Sequence, residues 1–88
     1  MIERPATIVN PLGLHARPAA QLVKLASAFS AHVEIVKDGT PVNGKSIMGV
    51  MMLAAEHGSI LVIRAEGSDA AAAVDALVAL VADGFGET

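Results

Sequence analysis

The run Gly13-Leu14-His15-Ala16-Arg17-Pro18 sets an imidazole and a guanidinium two residues apart, where a turn feeds the first helical pattern of the chain. A neutral imidazole is a nucleophile for phosphorus. The first amides of a helix have no intrahelical partner and carry a partial positive charge, so an anion held on His15 would be met by donors. The same dipole disfavours a protonated ring, and Arg17 adds forked donors suited to phosphate oxygens. Pro18 lacks an N–H that would have had no partner there, and Gly13 permits the bend that exposes His15. Residue types alone leave a plainer alternative open, in which His15 is an ordinary helix cap and Arg17 a solvated charge.

Eighty-eight residues suit one domain, spanning 1–88, with one modest core and no room for a separate cofactor domain. Half of the chain is apolar, mainly Ala and Val with two Phe and no Trp or Tyr, so small side chains must fill the interior. Nine acidic residues against six basic ones give a net charge of −3, which disfavours nucleic-acid binding. The absence of cysteine removes disulfides, thiolate catalysis and Cys-based zinc sites, and leaves few metal ligands. No signal-peptide layout and no apolar run of about 20 residues is present, so the expectation is a cytoplasmic chain without membrane insertion.

Ile2 to Val9 is β-prone, with Pro5 pointing to an edge strand. Ala19, Leu22, Val23, Ala26 and Phe29 recur at helical spacing, which predicts a helix from Ala16 to Ala28. His32 to Lys37 alternates, Asp38-Gly39 is a hairpin turn, and Thr40 to Val42 returns antiparallel. Ser46 is placed to cap a helix over Ile47 to Ala55, closed by His57-Gly58. The run Ile60-Leu61-Val62-Ile63 predicts a central strand buried on both faces, and Ser68 or Asp69 caps a last helix ending near Gly84. The order strand, helix, strand, strand, helix, strand, helix defines an α+β fold with a four-stranded antiparallel sheet and three helices on one face.

Arg17, Ala20, Gln21 and Lys24 fall at i, i+3, i+4 and i+7, on the side of the first helix opposite its apolar stripe. In the second helix Val50, Leu53 and Ala54 group on one side and Ile47, Met48 and Met51 on another, more than one buried face can absorb. The surplus suits a re-packing surface for several partners, since methionine is flexible and polarizable; the alternative is that Met48 and Met51 fill a loose core. Phosphate on Ser46 would add about two negative charges at the edge of this patch without excluding its capping role. His32 and His57 stand at element boundaries and are assigned no chemistry.

Three segments together, Gly13 to Ala19, Asn43-Gly44-Lys45-Ser46-Ile47-Met48-Gly49-Val50-Met51 and the Gly84-Phe85-Gly86-Glu87 ending, resemble the HPr family of the bacterial phosphoenolpyruvate-dependent phosphotransferase system. The likeness spans essentially the whole chain. It implies an open-faced β-sandwich in which Nδ1 of His15 accepts a phosphoryl group from enzyme I and passes it to IIA proteins or domains, with Arg17 assisting. It implies docking by Ala16, Arg17, Ala20, Gln21 and Lys24 with Ile47, Met48, Met51 and Met52, and places Ser46 at the serine modified by HPr kinase/phosphorylase. The phosphoryl-site residues do not separate the sugar-uptake branch from the nitrogen-related one, although the Gly84 to Glu87 ending resembles chains of the latter.

A transient carrier of this kind needs no cofactor and no metal, is most simply a monomer, and acts only with partner phosphotransferases. Two other classes compete with it. A regulatory adaptor would bind partners through Ile47, Met48 and Met51 with His15 idle, which the pairing of His15 with Arg17 argues against. A small phosphohydrolase would need a general acid or metal site that the chain does not offer.

Overall fold

Alternation in the strands and 3.6-residue spacing in the helices produce seven regular elements in the computed structural model, which describes residues 1–87. They are β1 (Ile2–Thr7), α1 (Ala16–Ser27), β2 (His32–Lys37), β3 (Thr40–Asn43), α2 (Ile47–Met52), β4 (Ile60–Glu66) and α3 (Ala70–Ala82), followed by a 3-10 turn at Gly84–Gly86. The strands form one antiparallel sheet in the order β1-β4-β2-β3. Pro5, which cannot donate to a ladder, lies on the edge strand β1 opposite Val62, as its chemistry requires. The hairpin turn also follows its residues: Asp38 and Gly39 both take positive φ, 50° and 79°.

The core lies between the sheet and the helices, with Ile8, Leu22, Ile35, Leu61, Ile63 and Leu77 fully buried. Ala70 and Ala73 are buried on the face of α3 that meets β1 and β4. Such small side chains let a helix approach a sheet closely, which is how a chain poor in aromatics fills its interior.

The structure corrects several expectations. β4 is central, yet only Leu61, Ile63 and Ala65 are buried, while Ile60 is 62% exposed and Val62 partly so. An apolar run cannot distinguish one covered face from two; with all helices on one side, the other face of the sheet meets solvent. β1 stops at Thr7 rather than Val9, and α1 at Ser27 rather than Ala28. α2 ends at Met52 rather than Ala55, because Ala54 turns to φ +49° and the chain then sinks Leu53 and Ala55 into the core. Asp69 stands at the start of α3 but makes no side-chain cap; its carboxylate accepts from the backbone N–H of Ser30 at 2.9 Å and of Ala31 at 2.8 Å. These bonds, the one from Ser30 foremost, hold its pKa below the usual aspartate value.

Candidate functional site

The turn before α1 is shaped by a glycine and an asparagine. Gly13 takes φ +70°, and a Cβ there would lie 2.5 Å from the carbonyl oxygen of Ala55, so this position tolerates no side chain. The close approach lets Leu14 N–H donate to that same oxygen at 2.8 Å, joining the turn to the segment after α2. Asn10, only 1% exposed, donates from Nδ2 to Gly13 O at 2.7 Å. His15 is thereby held in an extended conformation at the first, non-helical position of α1, its own carbonyl accepting from Ala19 at 3.0 Å.

The His15 side chain does not cap the helix. It stands 36% exposed and turns toward the end of the chain, where Glu87 Oε2 and Oε1 lie 3.0 and 3.1 Å from Nε2. Glu87 also accepts from Asn10 Nδ2 at 3.0 Å. Its carboxyl pKa is lowered, first by the hydrogen bond from His15, with the bond from Asn10 and the charges of His15 and Arg17 adding to it against some burial. Among the described residues, Nδ1 of His15 and the amides of Ala16 and Arg17 have no hydrogen-bond partner. A ring nitrogen and two backbone donors, all without a partner among the described residues, therefore sit on three consecutive residues.

Arg17 is exposed and makes no ion pair among the described residues. It lines a depression with Pro11, Leu12, Gln21, Phe85, Gly86 and Glu87. His15 lines a neighbouring one with Pro11, Leu12, Leu14 and the segment Ala54 to His57. The two depressions share Pro11 and Leu12, and Glu87, which meets the His15 ring, lines the one that Arg17 lines. His57, which sequence reading left without chemistry, is exposed on the rim of the His15 depression. His32 lies on the sheet, its Nε2 3.6 Å from Glu34.

Ser46 caps α2 as expected, its Oγ accepting from Gly49 N–H at 3.2 Å. Ile47, Met48, Met51 and Met52 are all exposed, Met48 by 73% and Met52 by 79%, so the methionines do not fill a loose core. Ala16, Ala20 and Lys24 are exposed and Gln21 partly so on α1, which packs against α2. Glu87 and Asn10 are the site residues that sequence reading missed. The Gly-Phe-Gly-Glu ending was visible, but nothing local says that residue 87 returns to residue 15. Among the described residues, no cluster of three or more His, Cys, Asp or Glu could hold a metal ion, and no helix is long and apolar enough to cross a membrane.

Comparison with known proteins agrees with this geometry. The family model for the PTS HPr component phosphorylation site matches residues 2–83. The phosphocarrier protein HPr of Cupriavidus necator is 51% identical over 87 residues, covering 99% of this chain and 98% of that protein. The phosphocarrier protein NPr of Shewanella violacea is 43% identical over 86 residues, covering 98% and 94%. The crystal structure of HPr-C-His from Thermoanaerobacter tengcongensis superposes with a TM-score of 0.96 at 46% identity, covering 100% of this chain and 99% of that one. With its open-faced antiparallel sheet, its three helices and a histidine at the head of the first of them, the chain belongs to the HPr family, the phosphocarriers of the phosphotransferase system.

Proposed function

We propose that this chain carries a phosphoryl group on Nδ1 of His15, taking it from phosphorylated enzyme I and giving it to IIA proteins or domains. The observation that carries this reading is the half-exposed ring with its unpartnered Nδ1 beside two unpartnered helix amides. The Nδ1 lone pair attacks phosphorus while the bond to the donor's leaving group breaks, and the amides with Arg17 receive the incoming oxygens. The chain has no turnover of its own in this scheme; it is a cytoplasmic monomer that needs a donor and an acceptor protein.

Docking falls to the exposed faces of α1 and α2, Ala16, Arg17, Ala20, Gln21 and Lys24 with Ile47, Met48, Met51 and Met52. Ser46 is the regulatory site in this reading, open to an HPr kinase/phosphorylase. Its oxygen already lies at a helix N-terminus, where phosphate is tolerated by the helix while repelling an acidic docking face.

Incubation with phosphoenolpyruvate and enzyme I, followed by assay for acid-labile, base-stable phosphate, tests the reading. His15→Ala is expected to abolish labelling, and persistent labelling of that variant overturns the assignment. Ser46→Asp is expected to slow transfer from enzyme I; an unchanged rate removes the repulsion argument. The exposed apolar patch favours one second reading, a regulatory adaptor with His15 idle, which would show as a wild-type chain that binds partners yet takes up no label.

A further inference from the structure

Glu87 meets the His15 ring at one nitrogen and not the other. Both of its oxygens lie about hydrogen-bonding distance from Nε2, at 3.0 and 3.1 Å. A carboxylate at Nε2 calls for an N–H there, which leaves the neutral ring's lone pair on Nδ1. The carboxylate is itself held in place. Asn10 Nδ2 donates to it at 3.0 Å and to Gly13 O at 2.7 Å, so one buried amide ties the chain ending to the turn that presents His15. Phe85, 3% exposed and packed near α3, anchors the same ending from below, at a φ of +57° that few bulky residues adopt.

We propose that Glu87 is a positioning residue for phosphoryl uptake: it holds Nε2–H of His15, so that Nδ1 faces the donor, and it balances the charge the ring acquires when Nδ1 bonds phosphorus. This rests on the carrier reading and gives Glu87, part of an ending whose role the sequence did not specify, a place at that site. In the step, the Nδ1–P bond forms as the bond from phosphorus to the donor's leaving group breaks, and that electron pair departs with the donor. Nε2 keeps its proton, so the ring becomes cationic, and the Glu87 carboxylate 3.0 Å away faces the new charge. On handover the P–N pair returns to Nδ1 and the ring is neutral again. The logic is that of the carboxylate behind a catalytic histidine in hydrolase triads, which orients the ring and stabilises its cation without taking the proton. The lowered carboxyl pKa of Glu87 agrees with a group that stays ionised in this role.

The test uses the full chain, Glu87→Ala and Glu87→Gln, with phosphoramidate as a small phosphoryl donor that requires no docking surface. Glu87 lies outside the apolar core, so both changes leave that core intact; Glu87→Gln also keeps an acceptor for Asn10, which Glu87→Ala removes. In the unphosphorylated wild type, nitrogen-resolved NMR should find the ring proton on Nε2 and slowed in exchange. Glu87→Ala should lose that slowed signal and label about tenfold more slowly, the low end of the effect of removing a partner that orients a functional histidine. Glu87→Gln, which can still accept from Nε2–H without charge, should keep the signal and label at an intermediate rate. A ring proton on Nδ1 in the wild type, or wild-type labelling in Glu87→Ala, overturns the proposal. A wild type that shows the Nε2 proton but labels with neither phosphoramidate nor enzyme I sinks the carrier reading and leaves the contact standing.

Discussion

The head of α1 and the head of α2 are both helix starts with a polar residue at the first position, and they are built in opposite ways. At α2 the serine serves its own helix: Ser46 Oγ takes Gly49 N–H, and the exposed face follows within six residues. At α1 the histidine side chain makes no cap bond to its own helix. Its ring is held by Glu87, 72 positions away, and its backbone by a turn pinned to Asn10 and Ala55. A side chain that caps its own helix gives up the free amide that chemistry needs. Among the described residues, the first amides of α1 are left unused while the ring is fixed from outside, so donors and ring are held together at one helix start.

If that contrast is right, damage at the head of α1 spreads through the fold and damage at α2 stays local. The largest effect is expected for Gly13→Ala, which combines a positive φ with a Cβ 2.5 Å from a backbone oxygen. Strain at such a position costs on the order of 1–3 kcal/mol even before the clash is relieved. Urea denaturation should show the loss, and phosphoramidate labelling of His15 should slow with it; a Gly13→Ala chain as stable and reactive as wild type would break the comparison.

Arg17→Ala should slow labelling by enzyme I about tenfold, equivalent to about 1.4 kcal/mol, without changing stability. Full activity there would remove Arg17 from the phosphoryl site. Ser46→Ala should cost about 1 kcal/mol in urea denaturation through the lost cap, with phosphoramidate labelling unchanged, because the two helix heads are separate devices. The smallest stability effect belongs to Met48→Ser with Met52→Ser, expected within about 0.5 kcal/mol of wild type since both side chains are exposed. That double variant should nevertheless take phosphate more slowly from enzyme I while labelling normally with phosphoramidate, which would sharpen the division between a docking face and a chemical one.

A pH titration checks the long-range ties more gently. Asp69 and Glu87 both titrate below their ordinary values in the folded chain, because each carboxylate accepts hydrogen bonds there that the unfolded chain lacks. Their stabilisation is therefore full above the ordinary carboxylate range, and it fades as pH falls through the lowered values. Asp69→Asn should flatten the acid limb of the stability curve, and an unchanged limb would show that the Ser30 and Ala31 bonds carry no weight.

Much of this molecule could be read from neighbours in the chain. The period of α1, the Asp38-Gly39 turn, the edge placement signalled by Pro5 and the cap at Ser46 are interactions across a few residues, so residue order is enough to specify them. The placing of His15 and Arg17 at the head of α1 was equally legible, because both belong to the turn that opens one helix. Other features were not. The apolar run in β4 looked buried on both faces, since hydrophobicity records an affinity for cover and not how many sides receive it. The role of Asp69 was misread for a similar reason: a residue at a helix start can cap that helix or reach a strand entrance 38 positions earlier, and only packing decides.

Residue order alone thus determined the elements, the order in which they follow one another and the placing of a histidine at the head of the first helix, because each depends on spacing within a turn or two. Tertiary structure alone decided which ring nitrogen is engaged and which is left free, by folding the chain ending back beside Asn10 and His15. That choice is a matter of ångströms between groups more than seventy residues apart, and no local periodicity encodes such a distance.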